Sequence, residues 1–396
     1  MNGMLMQRKS KIVFFAFIAA AQVGFDAGAQ DRPRARDLGI PFDGEPGANN
    51  AITDVTGVEV GYATLIEGDG ALKIGEGPVR TGVTAIHPLG RSSTAGVFAA
   101  RFTMNGDGEM TGSHWIDEFG TLFGPILLTN TVSVSDVHAA AVDWMRARDP
   151  DDMFHLPVVA ETWDGDINDH YGRHIKKKHV YAALDSARSG KLQEGNVGGG
   201  TGMAAFGFKA GTGTASRIVG PYTVGVLVQA NHGIPWGLTV AGVPVGRILN
   251  PDESNHFSEP VRKLAPSRNS ITVIVATDAP LLPMQLERFA KRPAMGVART
   301  GGVAERGSGE IFLAFSTSNE LTYTDSEIVQ YTALTDDARY TLDYLYEGVI
   351  QATEEAIINA MIAAETMVGV NGVRIESIDH ETLQEIMQRY NRLRRK

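Results

Sequence analysis

The 396-residue chain has no cysteine. Disulfides, thiol catalysis and thiolate metal sites are therefore excluded, although that absence alone does not fix a compartment. Positive charge is not in excess either. The formal net charge is −10, which disfavours a general nucleic-acid role. Past the N-terminus no segment reaches the ~18 uninterrupted apolar residues of a membrane span. Three familiar site patterns are also missing. Gly198–Gly202 (GGGTG) is not closed by the Gly-Lys-Ser/Thr of a P-loop. Asn105–Met110 (NGDGEM) lacks the ligand run and distant glutamate of an EF-hand. His170 and His174 are four apart, but Tyr171 stands where a zincin needs glutamate, and Lys176, Lys177 and Lys178 nearby make a solvated surface the expectation. No metal and no cofactor is expected.

What is present is the composition of a globular protein with a substantial core: 43% apolar and 21% charged residues. The first 29 residues read as a secretory leader. Arg8, Lys9 and Lys11 precede a short apolar stretch, and Ala27-Gly28-Ala29 supplies small residues for cleavage. A periplasmic or secreted location and no membrane attachment after leader removal are the corresponding expectations. Residues 30–50 read as an extended surface arm, rich in proline and glycine. Short strand-like runs follow at Val55–Tyr62, Val83–His87 and Ala95–Ala100. A helix is expected over Val137–Arg148, capped by Ser135-Asp136. Leu156–Glu161 and Tyr222–Asn231 read as strands. Eight glycines between Gly195 and Gly213 point to close backbone packing. Later helices are expected over Leu281–Lys291, Asp336–Val368 and Glu381–Arg394, with a strand at Ile311–Ser316 between the first two.

The most distinctive stretch is Ala265–Asp278. A basic polar loop ends at Asn269, and a β-branched run (Ile271, Thr272, Val273, Ile274, Val275, Thr277) starts directly behind Ser270. A cut between Asn269 and Ser270 would leave a free amine beside the serine hydroxyl. Nucleophile and nitrogen base would then share one residue, which suits acyl transfer without histidine. From these residues alone, a serine at a loop end is the commoner reading. In the same way Ser308 could be a turn serine, Asn231 a strand-end cap and Glu161 a loop-edge carboxylate.

Taken in order, several motifs resemble one family. They are Asn105–Trp115 (NGDGEMTGSHW), Thr129–Thr131 (TNT), Glu161–Gly165 (ETWDG), Gly211–Arg217 (GTGTASR), Val228–Asn231 (VQAN), Asn269-Ser270 and Gly307–Glu310 (GSGE). The chain resembles the self-processing serine aminopeptidases of the L-aminopeptidase/D-amidase-esterase type, and among them the β-peptidyl aminopeptidases. The resemblance implies an α+β fold, a four-layer αββα sandwich like that of N-terminal-nucleophile hydrolases but with its own connectivity. It implies a larger chain (30–269) and a smaller one (270–396) within one structural domain, assembled into higher homo-oligomers. It implies substrates that are short peptides, amides or esters with a free N-terminal amine, β-amino acids included. Ser270 matches the nucleophile, Ser308 and Glu310 the pair assisting it, and Asn231 an oxyanion donor. Glu161 matches the carboxylate that grips the substrate amine, and Trp163 an aromatic near the site. Two other classes stay open: an acyltransferase of the ornithine-acetyltransferase type, and an exported binding protein without catalysis.

Overall fold

A computed structural model describes residues 32–151, 154–251, 269–322, 326 and 328–394. The leader and nearly all of the linker before Asn269 lie outside the described residues. In chain order the strands are β1 (Glu59–Glu67), β2 (Val79–His87), β3 (Gly96–Gly106), β4 (Thr121–Phe123), β5 (Ile126–Asn130), β6 (Val158–Thr162), β7 (Ala204–Ala205), β8 (Phe208–Lys209), β9 (Thr212–Val219), β10 (Tyr222–Asn231), β11 (Ser270–Thr277), β12 (Gly309–Leu321), β13 (Met367–Val368) and β14 (Arg374–Ile375). The helices are α1 (Ser113–Phe119), α2 (Val134–Arg148), α3 (Lys177–Asp185), α4 (Val245–Leu249), α5 (Pro283–Ala290), α6 (Pro293–Arg299), α7 (Arg339–Ile362) and α8 (His380–Arg389).

Two sheets carry the fold. One has the order β1-β2-β5-β6 and the other β4-β3-β12-β11-β10-β9. Apolar side chains fill three layers, as alternation along buried strands requires. Ile86, Ile126, Leu128, Leu227, Ile274 and Leu313 meet between the sheets. Val83, Leu127 and Val159 pack outward against Val137, Trp144, Val180 and Leu184 of α2 and α3. On the far side Val226, Val273, Val275 and Phe312 pack against Leu286, Leu345, Val349 and Ile357 of α5 and α7. This is the αββα sandwich expected from the resemblance.

The β-branched run behind Ser270 forms β11 at the middle of the larger sheet. All eight of its residues are buried, hence a continuous apolar run rather than an alternating one. β11 pairs antiparallel with β10 and parallel with β12. A parallel pair needs a crossover, and α5 and α6 supply it. The parallel pair β5/β6 is joined through α2 in the same way.

Several expected boundaries shift. α2 begins at Val134, three residues early, because a 3-10 turn at Thr131–Ser133 leads into it and the Asn130 side chain accepts the Ser133 N–H at 2.9 Å. Ser135 and Asp136 therefore lie inside the first turn rather than capping it. α7 is shorter at both ends than expected, and α8 ends at Arg389. α6 was not anticipated; Pro293 opens it, where the missing N–H costs nothing. The N-terminal arm is not simply superficial, since Ala35, Ile40 and Phe42 are buried.

Paired charges pin that arm to α7. Glu355, fully buried, accepts from Arg36 at 2.8 and 2.9 Å, from Arg217 at 2.8 Å and from Asn50 at 2.6 Å. Burial alone would raise the Glu355 carboxyl; the Arg36 hydrogen bond and the two guanidinium charges reverse this and hold it below the usual carboxylate range. A pKa depressed by folding contributes stability that is present above the unfolded-state value and is lost as pH falls through the folded one. Glu355→Ala leaves Arg217 buried and unpaired and should cost about 3–5 kcal/mol in chemical denaturation. Glu355→Gln should in addition remove the part of the acid-side stability loss that comes from this carboxylate.

Candidate active site

Ser270 is the first residue of β11. The pairing places it opposite Asn231, the last residue of β10, and opposite Gly309, the first residue of β12. It is 5% exposed. Its Oγ donates to the carbonyl oxygen of Asn269 at 2.6 Å. The Gly309 N–H donates to that same carbonyl oxygen at 3.2 Å and addresses Ser270 Oγ at 3.4 Å. The hydroxyl, the carbonyl before it and a backbone donor thus converge on one peptide bond.

Asn231 is oriented from the β7–β8 hairpin. Its Oδ1 accepts the Ala204 N–H at 3.0 Å. An amide oxygen fixed there turns the NH2 group the other way, as an oxyanion donor requires. His232, next in sequence, is buried, and burial pushes its imidazole down to about 3. It stays neutral and is a weak base.

Ser308 and Glu310 flank Gly309. Both are buried, and the Ser308 hydroxyl donates to Glu310 Oε1. Their spacing of two brings them together, as the sequence implied. Burial pushes the Glu310 carboxyl up; the Ser308 bond opposes this and the nearby Glu305 charge adds to it. Glu310 is thereby a better proton acceptor than an exposed glutamate. Among the described residues the pair makes no hydrogen bond to Ser270 itself; it adjoins the serine through Gly309.

Glu161 comes from the other sheet, one residue before the end of β6. It is buried, its Oε1 accepting the Glu109 N–H at 3.0 Å and its Oε2 the Thr131 hydroxyl. Burial raises its carboxyl, against the Thr131 and Glu109 bonds and the His170 charge, which lower it. Its backbone carbonyl accepts Thr272 Oγ1 at 3.3 Å, tying β6 to β11 two residues along from Ser270. Gly108 fills the space between: a Cβ there would lie 3.1 Å from Glu161 Oε1 and 3.9 Å from Gly309 Cα. Trp163 follows β6 and lies against His170, with ring centroids 3.9 Å apart and the planes tilted by 51°. The expected solvated surface at the histidines is overturned for His170. It is 5% exposed and bonded through Nδ1 to Asp164 at 2.9 Å, because the loop after β6 folds inward. His174 pairs with Asp169 at 2.8 Å. No cluster of metal-ligating side chains occurs among the described residues.

The structure therefore joins Ser270, Asn231 and Gly309 by strand register, sets Ser308 and Glu310 beside them, and brings Glu161 in across the sheets. Sequence reasoning missed two backbone donors, Gly309 and Ala204. The glycine between Ser308 and Glu310 carried a signal: a Cβ there would come within 2.4 Å of the Asp107 carbonyl oxygen.

Residues 50–375 match the profile of peptidase family S58. The chain belongs to peptidase family S58. It is 49% identical, over 367 residues, to Beta-peptidyl aminopeptidase BapA of Sphingosinicella xenopeptidilytica, covering 90% of this chain and 91% of that protein. Among solved structures it is similar to an L-aminopeptidase D-Ala-esterase/amidase from Ochrobactrum anthropi, described as a prototype for the serine aminopeptidases and a new variant among the Ntn hydrolase fold. The TM-score is 0.82 at 44% identity, with 91% of this chain and 100% of the other covered. A Burkholderia sp. beta-aminopeptidase gives a TM-score of 0.80 at 42% identity, covering 90% and 99%. The family S58 chain is a serine aminopeptidase, as its motifs implied.

The crowding at Gly309 yields a test. Gly309→Ala must push the strand or the Asp107 loop apart and displace the N–H from the Asn269 carbonyl. Losing one such donor costs about a hundredfold or more in kcat. Circular dichroism should stay native while peptidase activity falls by that order.

Proposed function

We propose that the protein is an exported aminopeptidase that first cuts its own chain between Asn269 and Ser270. It then releases the N-terminal residue of short peptides, amides or esters, β-amino acids included. The observation that carries this reading is the 2.6 Å contact between Ser270 Oγ and the Asn269 carbonyl, with the Gly309 N–H on the same oxygen. In self-cleavage Ser270 Oγ attacks the Asn269 carbonyl carbon. The peptide C–N bond breaks, the Ser270 nitrogen leaves as an amine, and the acyl group sits on the hydroxyl as an ester. Water hydrolyses the ester, giving a carboxylate on Asn269 and a free hydroxyl on Ser270. The proton passes through the Ser308–Glu310 pair or the new amine.

In turnover the same hydroxyl attacks the scissile carbonyl of a substrate. Asn231 and the Gly309 N–H hold the oxyanion, and the acyl-enzyme passes to water. Glu161 binds the substrate ammonium, which restricts cleavage to the first residue, and Trp163 lines the approach. The β-amino acid preference rests on the similarity to β-peptidyl aminopeptidases. Export rests on the leader pattern of residues 1–29, and assembly of the processed chains into higher oligomers on the family resemblance.

Ser270→Ala should give one uncut chain by intact mass and no activity, while the wild type gives two chains. A variant still cut at 269/270 would falsify the processing scheme. Glu161→Ala should lose free-amine substrates selectively; equal turnover of N-acetylated and free peptides by the wild type would contradict its role. Rates on β-alanine and α-alanine p-nitroanilides report the preference for β-residues.

A further inference from the structure

Lys209 lies on β8, fully buried, and makes no ion pair among the described residues. Its Nζ donates to two carbonyl oxygens, Met203 at 2.6 Å and Ala210 at 2.7 Å. A buried ammonium without a carboxylate is costly, and an apolar side chain of similar length would fill the space more cheaply. Burial pushes this amine down to about 7, with the Arg32 charge adding to the shift. The group therefore calls for a reason beyond packing.

The two ends of a single peptide supply one. The Met203 carbonyl and the Ala204 N–H belong to the same planar unit and point in opposite directions. Lys209 grips the oxygen at one end. The N–H at the other end donates to Asn231 Oδ1 at 3.0 Å. An Nζ–H donor on the carbonyl polarises the peptide and strengthens the N–H as a donor, since hydrogen bonds in series reinforce one another. That in turn polarises the Asn231 amide and sharpens its NH2 group. The hairpin itself does not depend on the lysine. The Ala210 N–H also reaches the Met203 oxygen at 3.1 Å, and the Phe206 N–H bonds the His232 carbonyl at 2.9 Å.

We propose that Lys209 is a positioning residue for the peptidase reaction, aiming and polarising the Asn231 amide through the Met203–Ala204 peptide. The inference rests on the reading of Asn231 as an oxyanion donor.

The test is a double-mutant cycle on the full chain, reading kcat and KM for a free-amine p-nitroanilide. Lys209→Met should lower kcat about tenfold, less than Asn231→Ala does, with KM unchanged. In the Asn231→Ala background Lys209→Met should cause no further loss, because its effect travels through that amide. Unchanged kcat in Lys209→Met, or losses that multiply in the double variant, overturns the proposal while leaving the role of Asn231 intact. Wild-type kcat in Asn231→Ala removes the oxyanion reading itself, and the proposal with it. Should Lys209→Met fail to fold, Ala204→Pro deletes the N–H facing Asn231, while its ring also fixes φ at that residue. It should reproduce the kcat loss and the lack of additivity with Asn231→Ala, and full activity in that variant overturns the proposal.

Discussion

β11 is held between an antiparallel neighbour and a parallel one, and its register decides what stands opposite Ser270. A slip of one residue would turn every side chain to the other face. It would also put Asn269 or Ile271 between Asn231 and Gly309. The slip is blocked because both faces of β11 are committed. Ile271, Val273 and Val275 pack toward the helices, and Ile274 and Ala276 pack between the sheets. The polar residues add fixed points. Thr272 bonds the Glu161 carbonyl, and at the far end Thr277 Oγ1 bonds the Thr223 carbonyl at 2.8 Å. A core strand that cannot slide thus places the serine.

The same constraint explains why the site draws on distant parts of the chain. β10 runs antiparallel to β11, so its last residue meets the first residue of β11, and the parallel β12 presents its own first residue on the other flank. Asn231, Ser270 and Gly309 are chain-distant but share one level of the sheet. The second sheet reaches that level through β6, and the larger sheet adds the loop after β3. There Gly108 and Gly309 allow backbones to approach where a methyl group would crowd Glu161 or the Asp107 carbonyl. Glycine at these positions serves contact between elements rather than flexibility.

Much of this was legible in the sequence. The β-branched run marked β11, and the family resemblance marked Ser308 and Glu310 as a pair. The glycine run at 195–213 marked close packing, and a Cβ at Gly199 or Gly200 would indeed meet backbone at 2.6 or 2.2 Å. What stayed hidden has a common physical origin. Gly309 and Ala204 act through backbone N–H groups, which every non-proline residue has, so side-chain identity does not announce them. Lys209 does not stand out in the sequence, because nothing local reports that β8 is covered. His170 read as exposed beside three lysines, yet the chain turns inward at Asp164 and the lysines start only after the turn. Helix ends shifted where a preceding 3-10 turn or side-chain cap, rather than periodicity, set the boundary.

Charge balance connects the fold to the proposed chemistry. Glu161 and Glu310 are both buried, both raised by burial, and neither has a lysine or arginine ion pair among the described residues. A buried carboxylate without a cation is unfavourable, so a fold keeping two of them near one serine holds acidity in reserve. On the proposed reaction two cations arrive later. Self-cleavage turns the Ser270 amide nitrogen into an amine, and each substrate brings an N-terminal ammonium. An ammonium close to either carboxyl lowers its pKa and favours the ionised form, so ligand binding and carboxylate ionisation reinforce each other. An N-acylated peptide brings no such charge and pays the desolvation cost without the ion pair. Discrimination between free and blocked N-termini then follows from the burial of Glu161 as much as from its position. A solvent-exposed carboxylate in the same place would attract the ammonium only weakly, because water screens the pair.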